Sequence, residues 1–302
     1  MIEHAAPATE LVPPSPSWRD YVALGNPLIT ILLLATPWAG MVVAGGRLPP
    51  WPLVFWTLLG GGMTAAGASA LNQFIDRDLD ARMSRTRERP LPGGRLTPNQ
   101  ALRFGLGLIA LGLILLAVFV NALSAALAAI GAVYYVCAYS LYLKRATPQN
   151  IVIGGGAGAI PPLVGWAAVA GSLTMPALFL FAIVFFWTPP HFWALSLTRH
   201  HEYARAEIPM LPVVYGDPAA RWHIFLYSIQ LVALTLLLPG IGLTNAPYFV
   251  AAAGLGAIFI LRAWGLLRSG GRKRAWALYR YSSVYLALIF GAMVVDVLVR
   301  QA

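Results

Sequence analysis

Nine apolar stretches, each about 20 residues long, run through this chain and leave little choice of fold. A run of that length crosses a hydrocarbon core of roughly 30 Å. Backbone groups inside lipid find no water and must bond within their own segment, so the stretches are expected to be helices. They fall at residues 22–45, 52–71, 101–120, 122–143, 150–170, 175–197, 221–241, 246–267 and 277–299. Charged types make up only 11% of the 302 residues, against about 25% in soluble domains. The expectation is an all-α, polytopic membrane protein with one transmembrane domain over residues 21–302.

Residues 1–20 are mixed, contain proline and carry Glu3, Glu10 and Asp20. They lack the short apolar core of a signal peptide and the Arg and Ser richness of a transit peptide. They read as a disordered cytoplasmic tail, which favours a bacterial inner membrane over an organelle. The single cysteine, Cys137, excludes a disulfide framework and is expected to be a small buried hydrophobe.

The basic residues set the orientation. Of 21 Lys and Arg, all but Arg47 and Arg300 fall in the tail, in the loops after spans two, four, six and eight, or at the adjoining span ends. The opposite loops, residues 171–174 and 244–247, carry none. By the positive-inside rule the charged side, with the N-terminus, is cytoplasmic. The net charge of +10 therefore marks topology and contact with membrane lipid, not nucleic-acid binding.

Acidic residues number only 11, and Asp76, Asp78 and Asp80 crowd into five positions. Asn72, Asp76 and Asp80 are each four apart, so on a helix each step drifts by only about 40° and the three share one face. Neighbours so spaced lie about 5–6 Å apart at Cβ, where like charges repel unless a cation sits between them. Mg2+ suits such a site, because it takes oxygen ligands and is commonly shared with substrate phosphates. Asn72 adds a neutral oxygen, and Asp78 points to the other side of the helix. Arg82, Arg85, Arg87, Arg89 and Arg95 follow. A metal on one side and guanidinium groups on the other suit a diphosphate. The bland alternative is a solvated loop whose Arg residues fix topology and pair with the Asp residues.

A second polar cluster ends span six. His191, Thr198 and Glu202 fall within about 40° of one another on a helix wheel, with Arg199 on the flank. His191 is either part of this face or packed into an aromatic turn. His200 and His201 lack the spacing of a helical zinc pair. A third basic point, Lys144 with Arg145, ends span four. Lys144 either reaches a phosphate or snorkels to the interface, and Tyr139 is the substrate-contact candidate beside it. A faint repeat links the halves, since Pro92 and Pro98, like Pro212 and Pro218, are six apart after an acidic helix end.

On these residues the chain resembles the UbiA superfamily of intramembrane prenyltransferases over roughly residues 20–298. The Asn-x3-Asp-x3-Asp pattern at Asn72, Asp76 and Asp80 carries the resemblance. Residues 83–96, 143–155, 187–193 and 208–214 read like the branch that acts on haem. The resemblance implies nine helices around a central lipid-accessible cavity, with the acidic motifs on its cytoplasmic caps. It implies transfer of farnesyl from farnesyl diphosphate to a vinyl group of haem B, with water added, giving haem O. It further implies Mg2+ held by Asn72, Asp76, Asp80 and Glu202, and catalytic roles for Asp76, Asp80, Arg89, Lys144 and Arg199. Substrate contacts would come from Asn72, Arg82, Arg85, Arg87, Tyr139, His191 and Thr198. Haem A synthase or terminal-oxidase assembly would be the protein partners. The chain departs from the family at His191 and Thr198, which stand where acids usually fall, and at residues 26–28, where the haem branch often has two basic groups. Rival readings are a relative with an aromatic acceptor, a membrane transporter and a phosphatidyl-type alcohol transferase. The transporter is opposed by acids that cluster at the membrane edge and not at the midplane, and the alcohol transferase by the absence of its Asp-Gly and Ala-Arg pattern.

Overall fold

The structure is a computed structural model that describes residues 16–300. Among them, nine helical stretches are long and apolar enough to cross a membrane. Short α1 (Trp18–Leu24) precedes α2 (Pro27–Gly45), α3 (Trp51–Arg82) and α4 (Pro98–Phe119). The fourth span is α5 (Ala122–Val133), a π-wound stretch Tyr134–Leu143 and one turn, α6 (Lys144–Ala146). The fifth is split into α7 (Asn150–Ala159) and α8 (Pro161–Ala170), because Pro161 and Pro162 bring no backbone N–H to continue the ladder. Then follow α9 (Met175–Thr198), short α10 (His200–Arg205), α11 (Leu211–Leu237), α12 (Ala246–Ser269) and α13 (Arg272–Val299). No strand occurs among the described residues. Large apolar side chains such as Leu28, Ile114, Val118, Leu261 and Val295 lie on the outside. Water would penalise that surface and lipid does not, so the chain is a multi-pass membrane protein.

Several boundaries differ from the sequence reading, for local reasons. The first span does not begin at 22. The chain turns at Gly25 and Asn26, where Asn26 takes a left-handed φ of 47°, a conformation that Asn tolerates better than most. Residues 1–15 of the expected tail lie outside the described residues, but its last part is ordered. Trp18 opens α1, and the Asp20 carboxylate accepts bonds from the Ser17 backbone and hydroxyl and from Arg95 Nε at 2.7 Å. Arg95 beside it and these Ser17 bonds hold the Asp20 carboxyl down at about 2. Span seven starts ten residues early, at Leu211, and bends at Gly216, whose φ of 80° is open to glycine at little cost. Pro218 restarts the helix beyond this bend, much as Pro98 starts α4. Cys137 is exposed and not buried, because the π-wound stretch turns it away from the packed side.

One seam fixes the helix that carries the first acidic motif. Gly67 of α3 faces Gly105 of α4 so closely that a Cβ built on Gly67 would lie 2.6 Å from the Gly105 oxygen. Small residues let membrane helices approach to this distance and gain dispersion contacts in place of a hydrophobic drive. The seam supports the polar last third of α3, beyond residue 71, as a continuation of the same helix.

Candidate functional site

Asn72, Asp76 and Asp80 occupy the last turns of α3, and both carboxylates turn inward. Asp76 is 1% exposed and Asp80 4%, whereas the Asp78 side chain is exposed and lies 3.9 Å from Arg77. The face expected from the spacing is therefore real. Its acids are paired with cations, however, and are not left facing each other. Asp76 Oδ2 accepts from Lys144 Nζ at 2.5 Å and from Asn72 Nδ2 at 2.7 Å. Asn72 Nδ2 also donates to Ser140 Oγ at 2.9 Å. Arg145 Nη2 stands 3.9 Å from Asp76 Oδ1. The Lys144–Arg145 pair thus folds onto the acids of α3, and Lys144 is neither free nor snorkelled away.

Asp80 is held by the loop that follows it. Arg89 Nη1 donates to Asp80 Oδ2 at 2.7 Å. The buried Thr86 hydroxyl donates to the Asp80 carbonyl at 3.0 Å, which turns the loop back over the helix end. Arg85 and Arg87 stand exposed on that loop. Arg82 reaches 3.9 Å from Glu207 and links the first charged loop to the second. Burial raises the pKa of the Tyr203 phenol in α10, while the positive charges of Arg85 and Arg199 pull it the other way. Both Arg residues therefore lie near Tyr203, at the same end of the molecule.

The second cluster is not the single helix face read from the sequence. The helix α9 stops at Thr198, Arg199 leaves helical geometry at φ −123° and ψ 25°, and α10 restarts at His200. Glu202 therefore sits on a different axis from His191 and Thr198. The Thr198 hydroxyl donates to the Leu195 carbonyl at 2.7 Å, so its proton is engaged in its own helix. Arg199 Nη1 lies 3.6 Å from Glu202 Oε2. His191 is deeper, 8% exposed, between Trp187 and Tyr279, with Nδ1 2.7 Å from Ser282 Oγ. Tyr139 stacks on Tyr135 at 5.8 Å beside Gly154.

Among the described residues, no three His, Cys, Asp or Glu side chains lie together as a preformed metal cluster. Two buried acidic oxygens nevertheless lack a hydrogen-bond partner, Asp76 Oδ1 and Glu202 Oε2. Mg2+ takes one or two carboxylates and completes its shell with phosphate oxygens and water. These hard oxygens, free of hydrogen bonds and each within 4 Å of an Arg, fit a divalent ion that arrives with a diphosphate.

Several site contacts had no signal in the sequence. Ser140 and Ser282 are small hydroxyl side chains inside spans, in no motif that marks them for a role. Arg145 was legible as the neighbour of Lys144, and its approach to Asp76 was not. Asn150 is fully buried and donates from Nδ2 to the Pro209 carbonyl at 3.4 Å, tying residues 143–155 to residues 208–214.

The UbiA prenyltransferase family matches residues 32–289. A protein named Protoheme IX farnesyltransferase from Chloroflexus aurantiacus is 49% identical over 298 residues, 97% of this chain and 51% of that protein. One of the same name from Symbiobacterium thermophilum is 50% identical over 281 residues, 92% of this chain and 94% of that protein. The chain spans about half the length of the first of these relatives and nearly the whole of the second. Among solved structures, a digeranylgeranylglyceryl phosphate synthase superposes with a TM-score of 0.78 at 20% identity, covering 92% of this chain and 98% of that one. A UbiA homolog from Archaeoglobus fulgidus bound to DMAPP and Mg2+ superposes at 0.61 and 15% identity, covering 91% and 99%.

Proposed function

The chain belongs to the UbiA prenyltransferase family, and from that premise we propose that it transfers a farnesyl group from farnesyl diphosphate to a vinyl group of haem B, with addition of water, to give haem O and diphosphate. The observation that carries this reading is the inward-facing pair Asp76 and Asp80, each bound to a cation, at the end of a membrane helix. It stands in a chain half identical, over 92% of its length, to a relative named for that reaction.

Asp76, Asp80 and Asn72 are the first oxygen donors for Mg2+, and Glu202, whose Oε2 makes no hydrogen bond, is a further one. When bound, Mg2+ supplies Lewis-acid stabilisation of the charge that grows on the departing diphosphate. Arg82, Arg85, Arg87, Arg89, Lys144 and Arg199 donate N–H bonds to the same oxygens, acting where charge develops. Lys144 and Arg89 neutralise Asp76 and Asp80 before substrate arrives, which keeps buried carboxylates from repelling one another. As the C–O bond of farnesyl diphosphate breaks, its electron pair leaves with diphosphate. The vinyl π electrons then bond to the allylic carbon, water adds to the cation that this leaves on the haem side chain, and one proton is released. Tyr135 and Tyr139 line the approach and help exclude water until that step. Thr198, its proton engaged, offers only its lone pairs.

The basic loops support a site on the cytoplasmic side of a bacterial inner membrane. Haem A synthase and terminal-oxidase assembly are the downstream partners that haem O implies. The experiment is to give purified protein farnesyl diphosphate and Mg2+ with either haem B or hydroxybenzoate, and to read products by mass. Haem B should gain the mass of one farnesyl group plus water. A product from hydroxybenzoate alone, or normal haem turnover by Asp76→Ala and Asp80→Ala, would overturn the reading.

A further inference from the structure

Ser282, in the middle third of α13, is the meeting point of three hydrogen bonds, two of which reach α9. Its carbonyl accepts from Trp187 Nε1 at 2.7 Å. Its hydroxyl oxygen lies 2.7 Å from the Tyr279 carbonyl and 2.7 Å from His191 Nδ1. A hydroxyl has one proton and a carbonyl has none. At that separation from the Tyr279 oxygen, the serine proton is engaged there. The contact to His191 must then be made with a proton from the imidazole, so Nδ1 carries hydrogen. In the neutral ring this leaves Nε2 with a free lone pair, and no described residue donates a hydrogen bond to it.

The rest of the pocket holds the ring still. Trp187 stacks on it at 4.2 Å, Tyr279 tilts over it at 4.6 Å, and Phe192 meets it edge-on at 5.1 Å. Ser282 itself is fully buried. Among the described residues, no carboxylate forms a hydrogen bond or ion pair with His191. Its Nε2 has no hydrogen-bond partner among the described residues and is not among the enclosed, unsatisfied polar atoms, so its lone pair is open to a ligand. A neutral imidazole whose second nitrogen donates to a fixed oxygen is the usual form of a metal-ligating histidine.

We propose that Ser282 is a positioning residue that fixes His191 as the Nδ1–H tautomer, so that the Nε2 lone pair serves as an axial ligand to the iron of the haem acceptor. This rests on the reading that haem B is the acceptor. It adds the ligating atom, its tautomer and the residue that sets both. Axial ligation would fix the height and tilt of the porphyrin, and so which edge meets the allylic carbon.

The test uses the full chain in detergent or nanodiscs with haem B. Wild type should show a histidine-ligated haem spectrum. His191→Gly should lose it, and added imidazole should restore it. Ser282→Ala should lower haem affinity about 10- to 100-fold and move the iron–histidine stretching band of ferrous haem to lower frequency, because the ring loses its hydrogen-bond acceptor. Ser282→Thr, which keeps the hydroxyl, should restore both. A purely structural role for Ser282 would leave the stretching band unmoved in the protein that still binds haem, and that result would overturn the proposal. So would a wild-type spectrum retained by His191→Gly in an enzyme that still makes haem O, with haem B untouched as acceptor. Failure of wild type to convert haem B at all would overturn both readings.

Discussion

Lys144 and Asp76 meet across two membrane helices, 68 positions apart in sequence, with Nζ 2.5 Å from Oδ2. Asp76 is 1% exposed, so the pair is nearly out of water. Removing one member of a buried pair strands the other charge, at a cost of about 3–5 kcal/mol, whereas removing both is far milder. Asp76→Asn and Lys144→Met should each lower the unfolding midpoint in detergent, and the double variant should recover most of that loss. Turnover should not recover in the double variant, because the metal donor and the phosphate donor are both gone. Equal stability of the single and double variants would remove the pair from the structural account.

Asp80 at the end of α3 and Arg89 on the loop that follows form the equivalent contact, at 2.7 Å. Arg89→Ala also removes the proposed donor to the diphosphate, and loss of one charge-assisted bond of about 1.5–3 kcal/mol there corresponds to roughly a 10- to 150-fold fall in kcat/KM for the prenyl diphosphate. Steady-state kinetics over a range of diphosphate concentrations would measure it. Arg85→Ala and Arg87→Ala should raise KM without lowering stability, since both side chains are exposed.

Divalent ion should be required for transfer and not for folding. Chelation with EDTA should stop product formation while the unfolding midpoint stays in place, and added Mg2+ should restore activity. The fold has Lys144 and Arg89 on its acids, so it does not need the ion to offset their charge.

The α3–α4 seam predicts a sharp contrast between a glycine in the seam, Gly67, and one of α4 outside it, Gly107. Gly67→Ala would press a methyl against the Gly105 oxygen, part of the backbone, which cannot yield. Overpacking of this kind costs about 1–3 kcal/mol and would shift the acids of α3 as well. Gly107→Ala meets nothing within 4 Å and should be silent in both thermal melts and activity.

Asp20 supplies a pH-dependent tie between α1 and the first loop. Its pKa is lowered from 3.8 to about 2, chiefly by Arg95. A depressed carboxyl stabilises above its unfolded pKa and loses that effect as pH falls through the folded value. Wild type should therefore exceed Asp20→Asn in stability at all pH values above about 4, and the two should converge as pH falls toward 2. Unfolding midpoints measured across that range would show whether the gap closes.

Legibility differed from one part of the chain to the next. The nine spans, their helical nature and the shared face of Asn72, Asp76 and Asp80 could be read in advance. Lipid enforces the first two through backbone hydrogen bonding, and the third is a matter of helical period alone. The second cluster failed for a specific reason. A helix wheel assumes an unbroken helix, and Arg199 breaks it between Thr198 and Glu202. The early start of α11 was likewise hidden, because Gly216 bends a helix that hydropathy alone would begin later.

The amino-acid order determined by itself that this chain lies in a membrane, which end carries the charge and which acids share a side of α3. These are local properties of period, length and composition. Only the tertiary structure decided which cation each acid holds, that Cys137 faces outward and that Ser282 directs the proton on His191. Each of those depends on where a second helix stops and how it is rotated. Those contacts join residues as far as 91 positions apart, and no short-range pattern encodes such a meeting.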